Sequence, residues 1–558
     1  MGNKIRNNRK RSAARSQVRR APRLPGLRKV YDAVIAGCAD LEAVTEALDA
    51  ELWLAANVCA IRSKAPDDEA FRLAMLDLID EAERDGRRQC LLLLRTMAAV
   101  GPQGLVDRAA RAAERLAGRK TPEEGGTPDW VGALGETAAV GDCCVWTDVF
   151  AEYTYVYCEY MHAGGGRRHG LQFIIDLAFH GVLNGIDVVT EPTELDRMIP
   201  NMQRDARREG GRFLRVPPAD AAGLLRAALI ASADPALPPL LTASRDKSLA
   251  EFLPLAVRRV MEMPGEQSSD PPRGQVSAAW PARRRQALVE EFLDAHPDGW
   301  VDAAVARMIA ARIVDASVDV LGFPPDRMGP ASVARLFGEY LPAAVIIPRS
   351  LLDEVMQVAR AWVRWRTDAQ DLPRAARRQL RRTANAVLAV LPTLCQSRRL
   401  NPTVPYVADA PAAARADGDA LQEIMYRRAF AVPIPGQRGD GVVDLPEPAN
   451  GLPAGQTHVD KLDPADPAHR HLITAIGQAA EGTHTRRIPA LAAVVEQLWN
   501  DQPAAVWQAA RRLTAAGLPR QRVLDRLAAT WQRDGSDTER YTAALSTLGS
   551  ALSSPVHR

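Results

Sequence analysis

The residues best suited to chemistry fall in one short stretch: Cys158, His162, His169, Asp176 and His180. Thiolate, imidazole and carboxylate are the ligand types of zinc sites, and histidine titrates near neutral pH, so an enzyme site here is centred on His169 and Asp176. Spacing weighs against a shared ion. The two are seven residues apart on a segment that reads as a strand, which turns them to opposite faces and separates them by roughly 23 Å at ~3.3 Å per residue. His162 and His169 face each other across the loop Ala163 to Arg168, but two imidazoles alone do not make a typical zinc site. The favoured expectation is ordinary sheet histidines, with no metal and no cofactor.

Gly164-Gly165-Gly166-Arg167-Arg168 has the make-up of an anion-binding nest, in which successive backbone N–H groups and nearby guanidinia hold a phosphate. It lacks the Gly-Lys-Ser/Thr of a Walker A loop and does not open a helix after a strand, so a hairpin turn with solvated arginines is favoured. Tyr153, Tyr155 and Tyr157 fall on one strand face, a platform on which bases stack in single-strand binders. An aromatic face is more often the one packed against helices. The chain carries no Gly-x-Ser-x-Gly elbow, no H-E-x-x-H helix and no Cys/His nucleophile motif. His469-x-His471 follows Asp466-Pro467 at the expected start of a helix, where exposure is the simpler account. The sequence offers no catalytic residue.

The elements around these residues are mostly helical. Glu152 to Met161 and Leu171 to Leu177 are rich in β-branched and aromatic residues and predict a hairpin with Leu171, Phe173 and Ile175 buried. Cys143 to Val149 and Gly185 to Val189 are expected as edge strands. Helical spacing recurs at Phe71, Ala74, Met75 and Leu78, over Ala219 to Ile230 and Leu249 to Met261, and at Val301, Val305, Met308 and Ile309. It returns at Leu352, Val355, Ala359 and Trp362, behind a capping box of Ser350 and Asp353. In the C-terminal region Ile488, Leu491, Val495 and Leu498 form a stripe, Pro503 and Pro519 open helices, and Gly517 closes one. The expected fold class is mainly α with a small embedded α+β domain. Its divisions are a basic disordered arm at 1–29, a helical domain at 30–120, and a small α+β domain with antiparallel sheet followed by helices at 128–263. A linker at 264–279, a helical domain at 280–397, a Pro/Gly-rich linker with one short helix (Leu421 to Arg428) at 398–460, and a C-terminal helical domain at 461–558 complete the chain.

The 558 residues are too many for one hydrophobic core, and 47% apolar with 25% charged is ordinary globular usage. Seven cysteines without a C-x-x-C pair argue against a disulfide framework or zinc ribbon, and neither an export signal nor an apolar run of spanning length is expected. A cytoplasmic protein with no membrane association is the resulting expectation. Arginine outnumbers lysine 64 to 7, a composition bias rather than a sign of nucleic-acid binding. Position is more informative. Residues 1 to 31 hold eleven bases, among them Lys4, Arg6, Arg9, Lys10, Arg11, Arg15, Arg19 and Arg20, and no acid. The remainder then has 71 − 11 = 60 bases against 68 acids, a net of −8. A basic arm on an acidic body suits nonspecific phosphate contact.

At the C-terminus, Val494-Val495-Glu-Gln-Leu-Trp499-Asn-Asp-Gln-Pro503-Ala-Ala-Val-Trp507 with Arg512-Leu513 and Gly517 resembles a bacterial domain of unknown function, family 1841. Gly141-Asp142 through His169–Asp176 and Gly181, Pro330 to Pro342, Ala361–Trp365 and Arg427–Pro433 resemble segments of actinobacterial proteins that carry it. The resemblance implies relatives rather than a reaction. Such domains show histidines one helical turn apart where this chain has Arg487 and Leu491, and again where it has Gln521 and Asp525, while Asn184-Gly185 replaces a basic-acidic pair. A metal site implied by the family is therefore not expected at those positions. The leading functional expectation is a binding or interaction protein with a protein partner. The alternatives are a nucleic-acid-associated protein using the basic arm, and an enzyme with its site in the β domain.

Overall fold

A computed structural model describes residues 25–119, 127–237, 247–265, 275–433, 442–445, 455–458, 462–480 and 488–548, apart from 164, 297–298, 301, 346, 412–413 and 415–417. The arm residues Lys4, Arg6, Arg9, Lys10, Arg11, Arg15, Arg19 and Arg20 lie outside the described residues, as do Thr121 to Gly126 and Arg487. The protein is mainly helical with one six-stranded antiparallel sheet. It divides into two compact units, Met1–Pro281 with Ser317–Ser332 and Asp371–Arg378, and Ala282–Ala316 with Val333–Gln370 and Gln379–Arg558. Among the described residues no helix is long and apolar enough to cross a membrane.

In the first unit, helices Arg28–Gly37, Ala47–Arg62, Asp68–Asp85, Arg88–Val100 and Val106–Ala117 enclose one apolar core. Helix Asp68–Asp85 shows why its boundaries fall where they do. Asp67 accepts the Ala70 N–H at 2.7 Å, satisfying one of the free donors of the first turn, and Gly86 ends the helix at φ +74. The sheet follows, with strands β1 (Thr137–Ala139), β2 (Cys143–Thr147), β3 (Tyr153–His162), β4 (His169–Asp176), β5 (Val182–Val189) and β6 (Arg212–Val216) in the order β5-β4-β3-β2-β6, β1 pairing with β3. The expected hairpin is β3–β4. Leu171, Phe173 and Ile175 are buried, packed with Val156, Cys158 and Tyr160 against helices Pro218–Ser232 and Lys247–Glu262. Burying a phenylalanine such as Phe173 contributes roughly 1.5–3 kcal/mol.

The other face carries the tyrosines. Tyr157 is buried, Tyr155 stacks on Trp146 at 4.5 Å, and the cluster is covered by Leu195, Met202 and Ala206 of helix Pro192–Glu209. Covered in this way, Tyr155 and Tyr157 offer no platform to a base. One strand expectation needs correction. Cys143–Thr147 is interior rather than edge, since β6 pairs along its outer side; its run of four buried residues fits a strand covered on both faces. The edge on that side is β6, whose Arg212 and Arg215 are exposed, in keeping with the charged residues that protect sheet edges, and the opposite edge is β5, where Gly185 to Val189 was expected as one. In β5, Asn184 is the extra residue where pairing slips between Ile174↔Gly185 and Ile175↔Leu183.

In the second unit, helices Ala282–Asp294 and Leu352–Ala369 pack through Phe292, Trp362 and Trp365, whose rings lie 4.9 to 5.3 Å apart, and helix Ala303–Asp315 packs against both. The expected capping box does not form: the helix starts after Leu351, with no side-chain cap, and a 3-10 turn Arg349–Leu351 leads into it. Helices Gly418–Ala431, Ile488–Asn500, Ala504–Ala515, Arg520–Asp534 and Thr538–Thr547 build a second core around Leu491, Trp499 and Leu527. Arg428 and Arg470 lay their guanidinium groups over Trp499 at 4.8 and 4.6 Å. Within the stretch expected as linker, Val442–Leu445 and Gly455–His458 pair as an antiparallel ribbon.

Candidate functional site

The structure gathers part of the sequence-picked cluster and separates the rest. His162 ends β3 and His169 begins β4, so the hairpin brings their rings to 5.4 Å. Asp176 lies at the far end of β4, opposite Tyr153, and His180 is held in a tight turn with its Nε2 2.9 Å from the Val320 carbonyl. Cys158 is in the apolar core. Two residues complete the histidine pair, Glu51 from helix Ala47–Arg62 and Arg259 from helix Lys247–Glu262. The latter helix is covered on both sides, Leu255 entering the helical core and Ala256 and Val260 the core beneath the sheet, which places Arg259 wholly inside.

The hydrogen bonds define the protonation of this tetrad. Glu51 accepts from Arg259 Nη2, from His162 Nε2 at 3.2 Å to each oxygen, and from the Gly135 N–H at 2.9 Å. Arg259 Nε donates to His169 Nε2 at 3.1 Å, so that nitrogen must be bare and the ring proton sits on Nδ1, toward the Arg167 carbonyl. Burial, reinforced by the Arg259 charge, holds the His169 imidazole down to about 3. Burial alone would raise the Glu51 carboxyl, but the His162 hydrogen bond and the Arg259 charge outweigh it and bring it to about 2. The result is a neutral histidine beside a permanent ion pair. Arg259 and Glu51 expose no side-chain surface and His162 only 3%, so no substrate reaches them. The tetrad ties two helices to the end of the hairpin.

The glycine loop is likewise engaged structurally. Arg167 bonds Asp49, and Arg168 bonds Asp196 with Glu159 3.5 Å away. Their charges are matched by carboxylates rather than left for phosphate. Among the described residues no three His, Cys, Asp or Glu side chains are placed to hold a metal ion. Leu491 lies in the C-terminal core, Gln521 and Asp525 stand on helix Arg520–Asp534, and His471 is exposed while His469 is half-buried.

A further group went unnoticed in the sequence. Glu152 is buried and accepts the Ala331 and Ser332 N–H groups at 2.7 and 2.6 Å. Burial pushes its carboxyl up to about 7 despite those bonds, with the nearby Asp148 charge adding to the effect.

Space for a ligand lies in the second unit. A cavity of about 700 Å³ is lined by the loop His296, Gly299 and Trp300, one face of helix Leu352–Ala369, and residues 381–388 of the following helix. Asp353, Gln357, Arg360, Arg364 and Thr367 recur at steps of four, three, four and three, which is one helical face. The opposite stripe, Val355, Ala359 and Trp362, is buried in the core. Arg360 and Arg364 have no acidic partner among the described residues, whereas Arg381 pairs with Asp368 at 2.9 Å. Among the described residues Asp353 is the single carboxylate on the wall, against three guanidinium groups. Trp300 Nε1 is buried without a hydrogen-bond acceptor. The volume falls within the range of small-molecule sites.

No family model matches the chain, nor does any curated protein or solved structure.

Proposed function

We propose that the chain is a binding protein whose second unit takes a small anionic ligand in this cavity. The observation that carries the reading is the pair Arg360 and Arg364. Like charges one helical turn apart repel, by about 0.2–0.5 kcal/mol in isolated helices, and no carboxylate among the described residues pairs with either. An anion bound between them removes the repulsion, and guanidinium forks suit carboxylate and phosphate geometry. Arg381 adds a third fork on the facing helix. Met356, Val363 and Leu388 supply an apolar part of the same wall.

Inorganic pyrophosphate is a suitable first probe because it presents anionic oxygens and nothing else. Calorimetric titration at low salt should give binding that Arg360→Gln/Arg364→Gln weakens at least tenfold. Equal binding by both proteins would remove the basis of the reading.

The basic arm supports a second reading. Eleven bases without an acid in residues 1 to 31 form a dense positive field on an acidic remainder. If it contacts about five phosphates, affinity for duplex DNA should fall with a log-log salt slope near −4 to −5. Removal of residues 1–29 should flatten that slope; equal binding with and without the arm at ~50 mM salt, where screening is weak, would eliminate it.

A further inference from the structure

The cavity wall asks for more than an anion. His296 Nδ1 lies 2.9 Å from the Phe292 carbonyl, which only accepts, so Nδ1 carries the proton and Nε2 is an acceptor while the ring is neutral. Trp300 Nε1 is a buried donor with no acceptor among the described residues, a state that is costly for a polar group inside a protein. Asp353 and the Asn385 amide add an acceptor and a mixed donor–acceptor on the wall, and neither has a hydrogen bond to another described residue. The indole and imidazole rings belong to a packed aromatic group, with Trp300 5.4 Å from Phe292 and His296 5.7 Å from Trp300. One part of the cavity therefore offers an aromatic surface edged by an unsatisfied donor and free acceptors.

The position of that part relative to the cations follows from helix geometry. Gln357 Nε2 donates to the Gly299 carbonyl, which fixes the Trp300 loop at the level of Gln357. Arg360 and Arg364 lie three and seven residues further along the same helix, roughly 5 and 10 Å at 1.5 Å per residue. The Arg381–Asp368 pair places the start of the facing segment at the cationic end as well.

From this arrangement we infer that the ligand is a nucleotide-like aromatic anion. Its planar heteroaromatic ring packs at Trp300, supplying an acceptor to Nε1 and donors to Asp353 or His296, and its anionic group reaches Arg360 and Arg364. This rests on the reading of the cavity as an anion site. Ring stacking against an indole typically adds about 1–3 kcal/mol per base, which is why the ring-bearing anion binds more tightly than the anion alone.

The test uses the full chain with three probes: ADP for ring and anion together, adenosine for the ring, and pyrophosphate for the anion. ADP should bind at least tenfold more tightly than either of the others. Trp300→Phe, which keeps a ring and deletes the N–H, should weaken ADP severalfold and leave pyrophosphate unchanged, with the thermal unfolding curve confirming a folded variant. Pyrophosphate binding as tightly as ADP would overturn the aromatic inference and leave the anion reading standing. Adenosine binding as tightly as ADP, or no binding by ADP and pyrophosphate alike, would overturn the anion reading itself.

Discussion

In the first unit a guanidinium lies wholly inside the protein against a carboxylate, while in the second two guanidinium groups line a cavity with no carboxylate partner among the described residues. Arg259 is matched by Glu51, its Nε donates to His169, and solvent does not reach it. Arg360 and Arg364 are exposed and have no acidic partner among the described residues. The contrast separates two meanings of a charged cluster. A buried cluster whose members bond to one another specifies the fold, because each is held by another even where one donor, Arg259 Nη1, has no acceptor among the described residues. An open one that leaves its donors unmatched has capacity for something outside the chain.

The comparison breaks most visibly at Arg259. Arg259→Leu leaves the Glu51 carboxylate buried with only His162 and the Gly135 N–H, and should cost about 3–5 kcal/mol of stability. A denaturant midpoint close to that of the unaltered protein would show that the tetrad does not hold the fold.

Acid sharpens the contrast. His169 is held below its ordinary 6.5, at about 3, so its contribution is complete above pH 6.5 and fades as pH falls toward 3. Glu51 is held at about 2, so its contribution is complete above pH 4.5 and is lost as pH falls through 2. Both make the first unit acid-sensitive. Glu152 acts in the opposite direction: raised to about 7, it favours the fold below pH 4.5, and that contribution is lost as pH rises through 7. His169→Gln should flatten the pH dependence between 6.5 and 3, and Glu152→Gln that between 4.5 and 7, both read from chemical denaturation across pH. An unchanged profile in either variant would contradict the assigned shift.

The smallest effect is expected at the cavity. Arg360→Gln/Arg364→Gln removes two exposed charges without any partner, so stability should move by no more than about 0.5 kcal/mol while anion binding is lost. A large destabilisation would mean that these arginines serve the fold after all.

Much of the architecture was legible because it rests on local periodicity. The stripes at Leu352–Trp362 and Ile488–Leu498 and the β3–β4 hairpin follow from side-chain spacing, and the helices and strands formed there. β6 was missed because Arg212 and Arg215 mask a short edge strand. The tetrad was half legible: His162 and His169 stand at the two ends of a visible loop. Glu51 and Arg259, 208 residues apart, are joined only by the way the Lys247–Glu262 helix packs, and nothing in local sequence marks that. The cavity shows a different limit. Reading Val355, Ala359 and Trp362 as the buried stripe assigns Asp353, Gln357, Arg360 and Arg364 to solvent. The periodicity is right, and only the facing helix turns that polar face into a wall.

Hydrogen–deuterium exchange with saturating pyrophosphate tests most directly whether the open cluster, rather than the sealed one, meets the ligand. Exchange should slow in residues 352–369 and 379–395 and stay unchanged in residues 153–176. Protection confined to 153–176, or none anywhere, would contradict the account.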